Sequence, residues 1–207
     1  MYVRVITPPD PIVTPADIAG DHGPDDAGVA ALIQAVTEQI DGPEGWLGRA
    51  LGPQTLELAQ AEFCEWVGLP CRPIITIDNV RYLDRSEDEQ TLPDSDYRVI
   101  GNRLYFRGGF TAPAIMRAPD ALRIRYQAGY NDEDASQVGG TGPVPERARQ
   151  AIILSVQHLK SLAAQDVFLR VDEVEGVGSR QYSVTDAASR VIEQACDRML
   201  TGLRVYS

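Results

Sequence analysis

Two histidines, three cysteines and a scatter of carboxylates are the side chains here most able to do chemistry. His22 stands beside Gly23 and Pro24, and His158 lies inside a strongly helical pattern. Neither has a second histidine four residues on, so the H-E-x-x-H arrangement that holds catalytic zinc is absent. The run Asn131-Asp132-Glu133-Asp134 has the composition of a calcium loop. An EF-hand loop needs Gly at its sixth position and Glu at its twelfth. Counted from Asp132, those positions hold Gln137 and Pro143, so a solvated loop is expected. The glycine-rich stretches 139–143 (GGTGP) and 176–178 (GVG) lack the G-K-[ST] of a phosphate loop. No G-x-S-x-G elbow occurs. Asp25 and Asp26 precede a helical pattern, where the positive end of the helix dipole favours them. Cys64, Cys71 and Cys196 are odd in number and include no C-x-x-C pair, so buried or incidental thiols are expected. Nothing in this set supports an enzyme, a metal site or a bound cofactor.

The charge balance narrows the choice further. The chain carries a formal net charge of −11, with 19 basic residues of which Lys160 is the only lysine. A protein that grips DNA neutralises phosphates with clustered Lys and Arg. No such cluster is present, so tight nucleic-acid binding is disfavoured, while a surface that lies beside DNA without holding it is allowed. At 207 residues and 43% hydrophobic, the chain has length enough to bury a core without disulfides. No apolar run approaches the roughly 20 residues that span a bilayer. The N-terminal stretch MYVRVITPPDPIV has no apolar core of a signal peptide.

The elements that must position these residues follow from periodicity. Thr14-Pro15 is a good helix start. Val29, Ile33, Val36 and Ile40 recur at helical spacing, and Ala30 and Leu32 widen the stripe. Trp46, Leu47 and Leu51 predict a further turn or two before Gly52-Pro53. From 54 to about 128 the pattern is that of strands. Val80 and Tyr82 alternate with Arg81, Gly101-Asn102 predicts a tight hairpin, and Leu122, Ile124 and Tyr126 alternate with Arg123 and Arg125. Pro145-Glu146 opens the longest helix, to about 166, with Ala148, Ile152, Ser155, Val156, Leu159, Leu162 and Ala163 inward. A last helix spans about 186–201, with Ala188, Val191, Ile192, Ala195, Met199 and Cys196 inward. The fold class is therefore α+β: a helical bundle formed by N- and C-terminal helices with an inserted antiparallel β-domain. The expected divisions are 1–52 for the N-terminal helices, 53–130 for the β-domain, and 131–207 for the C-terminal helices with a short tail.

Taken in order, GWLGRALGPQTLEL (45–58), LPCRPIITIDNVRYLD (69–84), QTLPDSDYRV (90–99), LRIRYQAGYND (122–132), VPERARQAIILSVQHL (144–159), VGSRQYSV (177–184) and the closing LRVYS resemble a known family. The family is the head–tail connector, or adaptor, proteins of long-tailed bacteriophages and of related gene transfer agents. The resemblance covers nearly the whole chain, with 107–121 as a local insertion. It implies a non-catalytic head-completion protein, without cofactors, that forms a ring of twelve under the portal protein. Such a ring extends the DNA channel, lets DNA pass without specific binding, and docks a stopper or tail terminator protein. It implies a place at the head–tail interface of a virion or virus-like particle assembled in the bacterial cytoplasm, and no membrane partner. The family's C-terminal segment reaches into the portal, which here assigns Leu203, Arg204, Val205 and Tyr206 to that contact.

The stretch 170–184 is expected to be a subunit or ring interface. Gly176 and Gly178 let its backbone follow a neighbour closely. Tyr182 anchors it, and Arg180 and Val184 add contact. The competing reading of the whole chain is a small α+β ligand-binding or regulatory domain, with a pocket in the β-region.

Overall fold

The computed structural model describes residues 1–164 and 186–205. The chain divides into two compact units. One comprises Met1–Ile12, Glu38–Val144 and the chain from Arg204 on; the other comprises Val13–Thr37 and Pro145–Leu203.

The first unit is built on eight strands: β1 (Tyr2–Thr7), β2 (Gln54–Gln60), β3 (Trp66–Gly68), β4 (Ile74–Leu83), β5 (Glu89–Leu92), β6 (Tyr97–Ile100), β7 (Arg103–Phe106) and β8 (Leu122–Ala128). Five make an antiparallel sheet in the order β1-β2-β8-β4-β5, and three make a second sheet in the order β3-β7-β6. β8 holds the centre because its alternation is strict. Leu122, Ile124, Tyr126 and Ala128 are fully buried, while Arg123, Arg125 and Gln127 lie half-buried on the other face. The buried face joins Leu56, Leu58 and Val80 to Val67, Leu69, Tyr97 and Leu104 of the smaller sheet and its approach in one apolar core. The Gly101-Asn102 hairpin forms as expected, with Ile100 opposite Arg103.

β1 has no counterpart among the expected strands. It is an edge strand whose side chains are mostly exposed on both faces, so neither alternation nor a buried run marks it. Residues 46–51 do not continue a helix. Leu47 and Leu51 are fully buried, but they belong to irregular turns.

The second unit contains most of α1 (Ala27–Ile40), with α2 (Glu146–Ala164) and α3 (Asp186–Thr201). Asp26 caps α1, its Oδ1 accepting the Val29 N–H at 2.9 Å. Val29, Ile33 and Val36 are buried as the spacing requires, but Ala30 is exposed. α2 and α3 meet at Cys196, whose thiol lies 3.5 Å from Ser155 Oγ and 3.7 Å from the Ala151 carbonyl. The α2 stripe is buried through Val156, whereas Leu159, Leu162 and Ala163 are exposed. On α3 the buried line is Cys196 and Leu200, continued past the helix by Leu203, with Ile192, Ala195 and Met199 half-buried beside it. Val191 is 65% exposed. At 100° per residue it sits about 140° round the helix from Cys196, off the buried face. The side chain of Ala188 lies outside the described residues.

The fold class is thus α+β with antiparallel sheets.

Candidate functional site

Of the histidines singled out for catalytic chemistry, His22 is engaged in structural hydrogen bonds. His22 Nδ1 accepts from the Lys160 ammonium at 2.8 Å, and its Nε2–H donates to the Pro15 carbonyl at 2.9 Å. His158 Nδ1 is buried and makes no hydrogen bond. Among the described residues no three His, Cys, Asp or Glu side chains gather as a metal site would require. All three cysteines are free thiols; Cys64 is exposed, and Cys71 and Cys196 are buried. Burial, with the negative charge of Asp41 as a lesser cause, pushes the Cys71 thiol up to about 12. A thiol held protonated in that way is a poor nucleophile.

The expected portal contact divides. Leu203 is 3% exposed and packs within the helical unit, where its N–H donates to the Leu200 carbonyl at 2.8 Å. Arg204 and Val205 belong to the β unit. The Arg204 guanidinium lies over the Trp46 ring, 4.6 Å from its centroid. The Val205 N–H donates to the Leu47 carbonyl at 2.8 Å. Gly48 makes this approach possible. Its φ is +59°, and a Cβ there would stand 3.3 Å from the Val205 carbonyl oxygen. Tyr206 lies outside the described residues, as do Gly176, Gly178, Arg180, Tyr182 and Val184 of the expected ring interface. Trp46, the platform for this tail, is 37% exposed, and only its aromatic type marks it in the sequence.

The outer face of the five-stranded sheet carries paired charges. Glu57 is 3% exposed and accepts from Arg4 Nε at 3.0 Å and from Arg125 Nη2 at 2.8 Å. Burial alone would raise its carboxyl, but the hydrogen bonds from Arg125 and Arg4 outweigh that and hold it below the ordinary carboxylate range. Beside it, Arg81 pairs with Glu89 at 2.7 Å, and Arg123 pairs with Asp120 at 2.7 Å. The arginines of this face already hold carboxylates, so a phosphate backbone would have to displace them.

The acidic loop after β8 is built rather than slack. Asn131 Oδ1 accepts from the Thr141 N–H at 3.0 Å, Asn131 Nδ2 donates to the Gly139 carbonyl at 3.0 Å, and Thr141 Oγ1 donates to the Gly129 carbonyl at 2.8 Å. Asp134 Oδ1 accepts the Ser136 N–H at 2.9 Å, which holds its carboxyl below the usual range. That oxygen is engaged in a turn, not aimed at an ion. Val138 in this loop is fully exposed.

At the opposite end of the same sheet, an open groove of about 610 Å³ runs between Tyr82, Leu92, Phe110 and Pro113, with Arg107 and Asp96 also lining it. Its Phe110 wall is held by stacking on Phe106, with ring centroids 4.7 Å apart. The groove holds one arginine and one carboxylate, without the convergent polar groups of a small-molecule site.

No protein-family model matches this chain, and no curated protein matches it either. Solved structures do. A chain in the neck of an empty GTA particle, computed with C6 symmetry, superposes with a TM-score of 0.63 at 16% identity, covering 100% of this chain and 97% of that one. A chain in the neck of the native GTA particle, computed with C12 symmetry, gives 0.61 at 16% identity with the same coverage. A chain in the virion of the native gene transfer agent particle gives 0.61 at 15%, again covering 100% and 97%. What is shared at these identities is the fold, along the whole chain.

Proposed function

We propose that this chain is a structural neck protein of a virus-like particle: an adaptor that forms a twelve-fold ring under a portal, extends the DNA channel and docks a stopper or tail terminator protein. It works by contact and performs no catalysis. The observation that carries the reading is the fold likeness to gene-transfer-agent neck chains over the full length, one of them in a neck with C12 symmetry. The chemistry of this chain suits the role. A net charge of −11 and arginines already paired on the sheet face favour a surface that DNA passes without adhering. A ring built from one repeated heterologous contact needs two different patches on each copy.

In this reading the segment from Leu203 to Tyr206 is the portal contact, with Leu203 as its buried root. The 170–184 strip, with Gly176, Gly178, Arg180, Tyr182 and Val184, serves the ring. The particle assembles in a bacterial cytoplasm, and the protein resides at the head–tail interface.

Native mass spectrometry of the protein mixed with the portal ring from the same source tests this. The expected result is a complex with about one copy per portal subunit, as matched symmetry requires. A well-formed portal ring that takes up none of the protein overturns the reading. Hydrogen exchange tests the strip separately, since equal exchange of 170–184 in free and portal-bound protein removes it from the interface.

A further inference from the structure

We infer that the loop 131–142 is a knob that seats in the Tyr82–Phe110 groove of a neighbouring copy, with Val138 as its apolar tip. The inference rests on the ring reading above and supplies one of its repeated contacts.

A single exposed aliphatic residue is ordinary. Val138 differs in how it is held. It is 104% exposed, more than Met1 at 79%. The backbone on either side is closed by the Asp132 N–H to the Gly142 carbonyl at 3.0 Å and the Gly142 N–H to the Glu133 carbonyl at 2.8 Å. Asn131 and Thr141 brace the base, and Gly140 packs so closely that a Cβ there would overlap the Asp134 carbonyl. Rigid presentation lowers the ordering cost of a contact.

The groove is the matching socket. Leu92 is 5% exposed at its floor, Phe110 and Pro113 are half-buried in its walls, and about 610 Å³ accommodates a loop tip rather than one methyl group. Asp132, Glu133 and Asp134 stand exposed beside Val138, and the exposed Arg107 lines the socket. Asp96 in the groove keeps its charge while accepting the Ser95 hydroxyl at 3.2 Å, and Arg107 Nε donates to the Tyr97 carbonyl at 3.2 Å, so the acidic side of the loop has to face the Arg107 wall. Two copies of a −11 chain repel at long range, so a contact between them gains from setting this acidic loop against an arginine.

Register makes the contact intermolecular. The loop leaves β8 at Ala128, which pairs with Ile74 at the start of β4, whereas Tyr82 of the groove pairs with Leu122 at the other end of β8. Six strand rises separate the two ends by about 20 Å. One copy therefore cannot fill its own groove. Knob and socket at opposite ends of one sheet give a head-to-tail contact, which closes into a ring or extends as a filament.

The test uses two single variants, Val138→Cys and Thr111→Cys on the groove wall, each carrying Cys64→Ser to remove the exposed thiol. They are mixed and oxidised alone and with the portal ring. A disulfide is expected only in the mixture. In otherwise wild-type protein, Val138→Asp is expected to weaken self-association about tenfold or more, with an unchanged circular dichroism spectrum. A portal complex that forms normally with the mixed variants yet shows no cross-link, or that tolerates Val138→Asp, overturns this contact and leaves the adaptor reading standing. If no portal complex forms, the adaptor reading fails, and the cross-link in free protein decides the contact alone: present, it stands; absent, it falls.

Discussion

Arg204 stacks its guanidinium 4.6 Å from the centre of the Trp46 ring, and one residue on, the Val205 amide bonds to the carbonyl of Leu47. The segment assigned to a portal is thus seated on its own chain. Replacing Trp46 with Ala removes the platform at a cost of about 1 kcal/mol. Amide exchange at Val205 should quicken several-fold while the thermal midpoint moves little. Unchanged exchange at Val205 would show that the ring does not hold the tail.

Truncation separates the root of this segment from its end. Removing the chain from Leu203 empties a buried site in the helical unit and should cost roughly 2–4 kcal/mol. Removing it from Arg204 spares that core. Denaturant titration should therefore distinguish the two truncations, while both lose portal binding. Portal binding retained by the shorter deletion would take Arg204 and Val205 out of that contact.

Asp41 predicts an unusual pH response. Burial lifts its carboxyl to about 6, outweighing the hydrogen bonds from Leu51, Gly42 and Gln54. A group raised in the folded state gives its full stability below the unfolded pKa, near 4, and loses it as pH rises through about 6. Asp41→Asn should remove a penalty on the order of 2 kcal/mol at neutral pH and flatten the urea midpoint between pH 4 and 7. A variant with the wild-type slope would locate the pH dependence elsewhere.

Glu57 acts with the opposite sign. Its lowered carboxyl stabilises the fold above the ordinary carboxylate pKa, and that stability is lost as pH falls through the folded value. Glu57→Ala leaves Arg4 and Arg125 without their shared partner and should cost roughly 2–4 kcal/mol. Glu57→Gln should cost less and make acid unfolding less steep. Equal stability of the three proteins at pH 7 would show that the pair contributes nothing net.

The parts of this fold legible in the sequence are those whose side chains report burial directly. β8 alternates without exception, the Gly101-Asn102 turn has the residues it needs, and α2 starts at Pro145-Glu146 as expected. β1 is opaque because an edge strand needs no buried stripe. Val191 misleads because apolar character says nothing about angular position until Cys196 and Leu200 fix the buried face. The candidate surfaces were legible in unequal measure. The loop 131–142 stands out as acidic and glycine-rich, but its bracing depends on Asn131 meeting Thr141 across ten residues. The Trp46 platform depends on contacts between residues more than 150 positions apart, which no local pattern encodes.

That separation also sets a timetable. During synthesis Trp46, Leu47 and Gly48 leave the ribosome early, and so does the whole of the five-stranded sheet. The segment that seats on them is made only after α2 and α3. Contacts so distant along the chain form slowly and late. The β unit can therefore pair its strands while the chain is still growing, yet its last hydrogen bond to Leu47 waits until translation has passed Val205. A ribosome-stalled chain ending before that point would carry a complete sheet with a bare tryptophan, and only a chain extended past Val205 covers it.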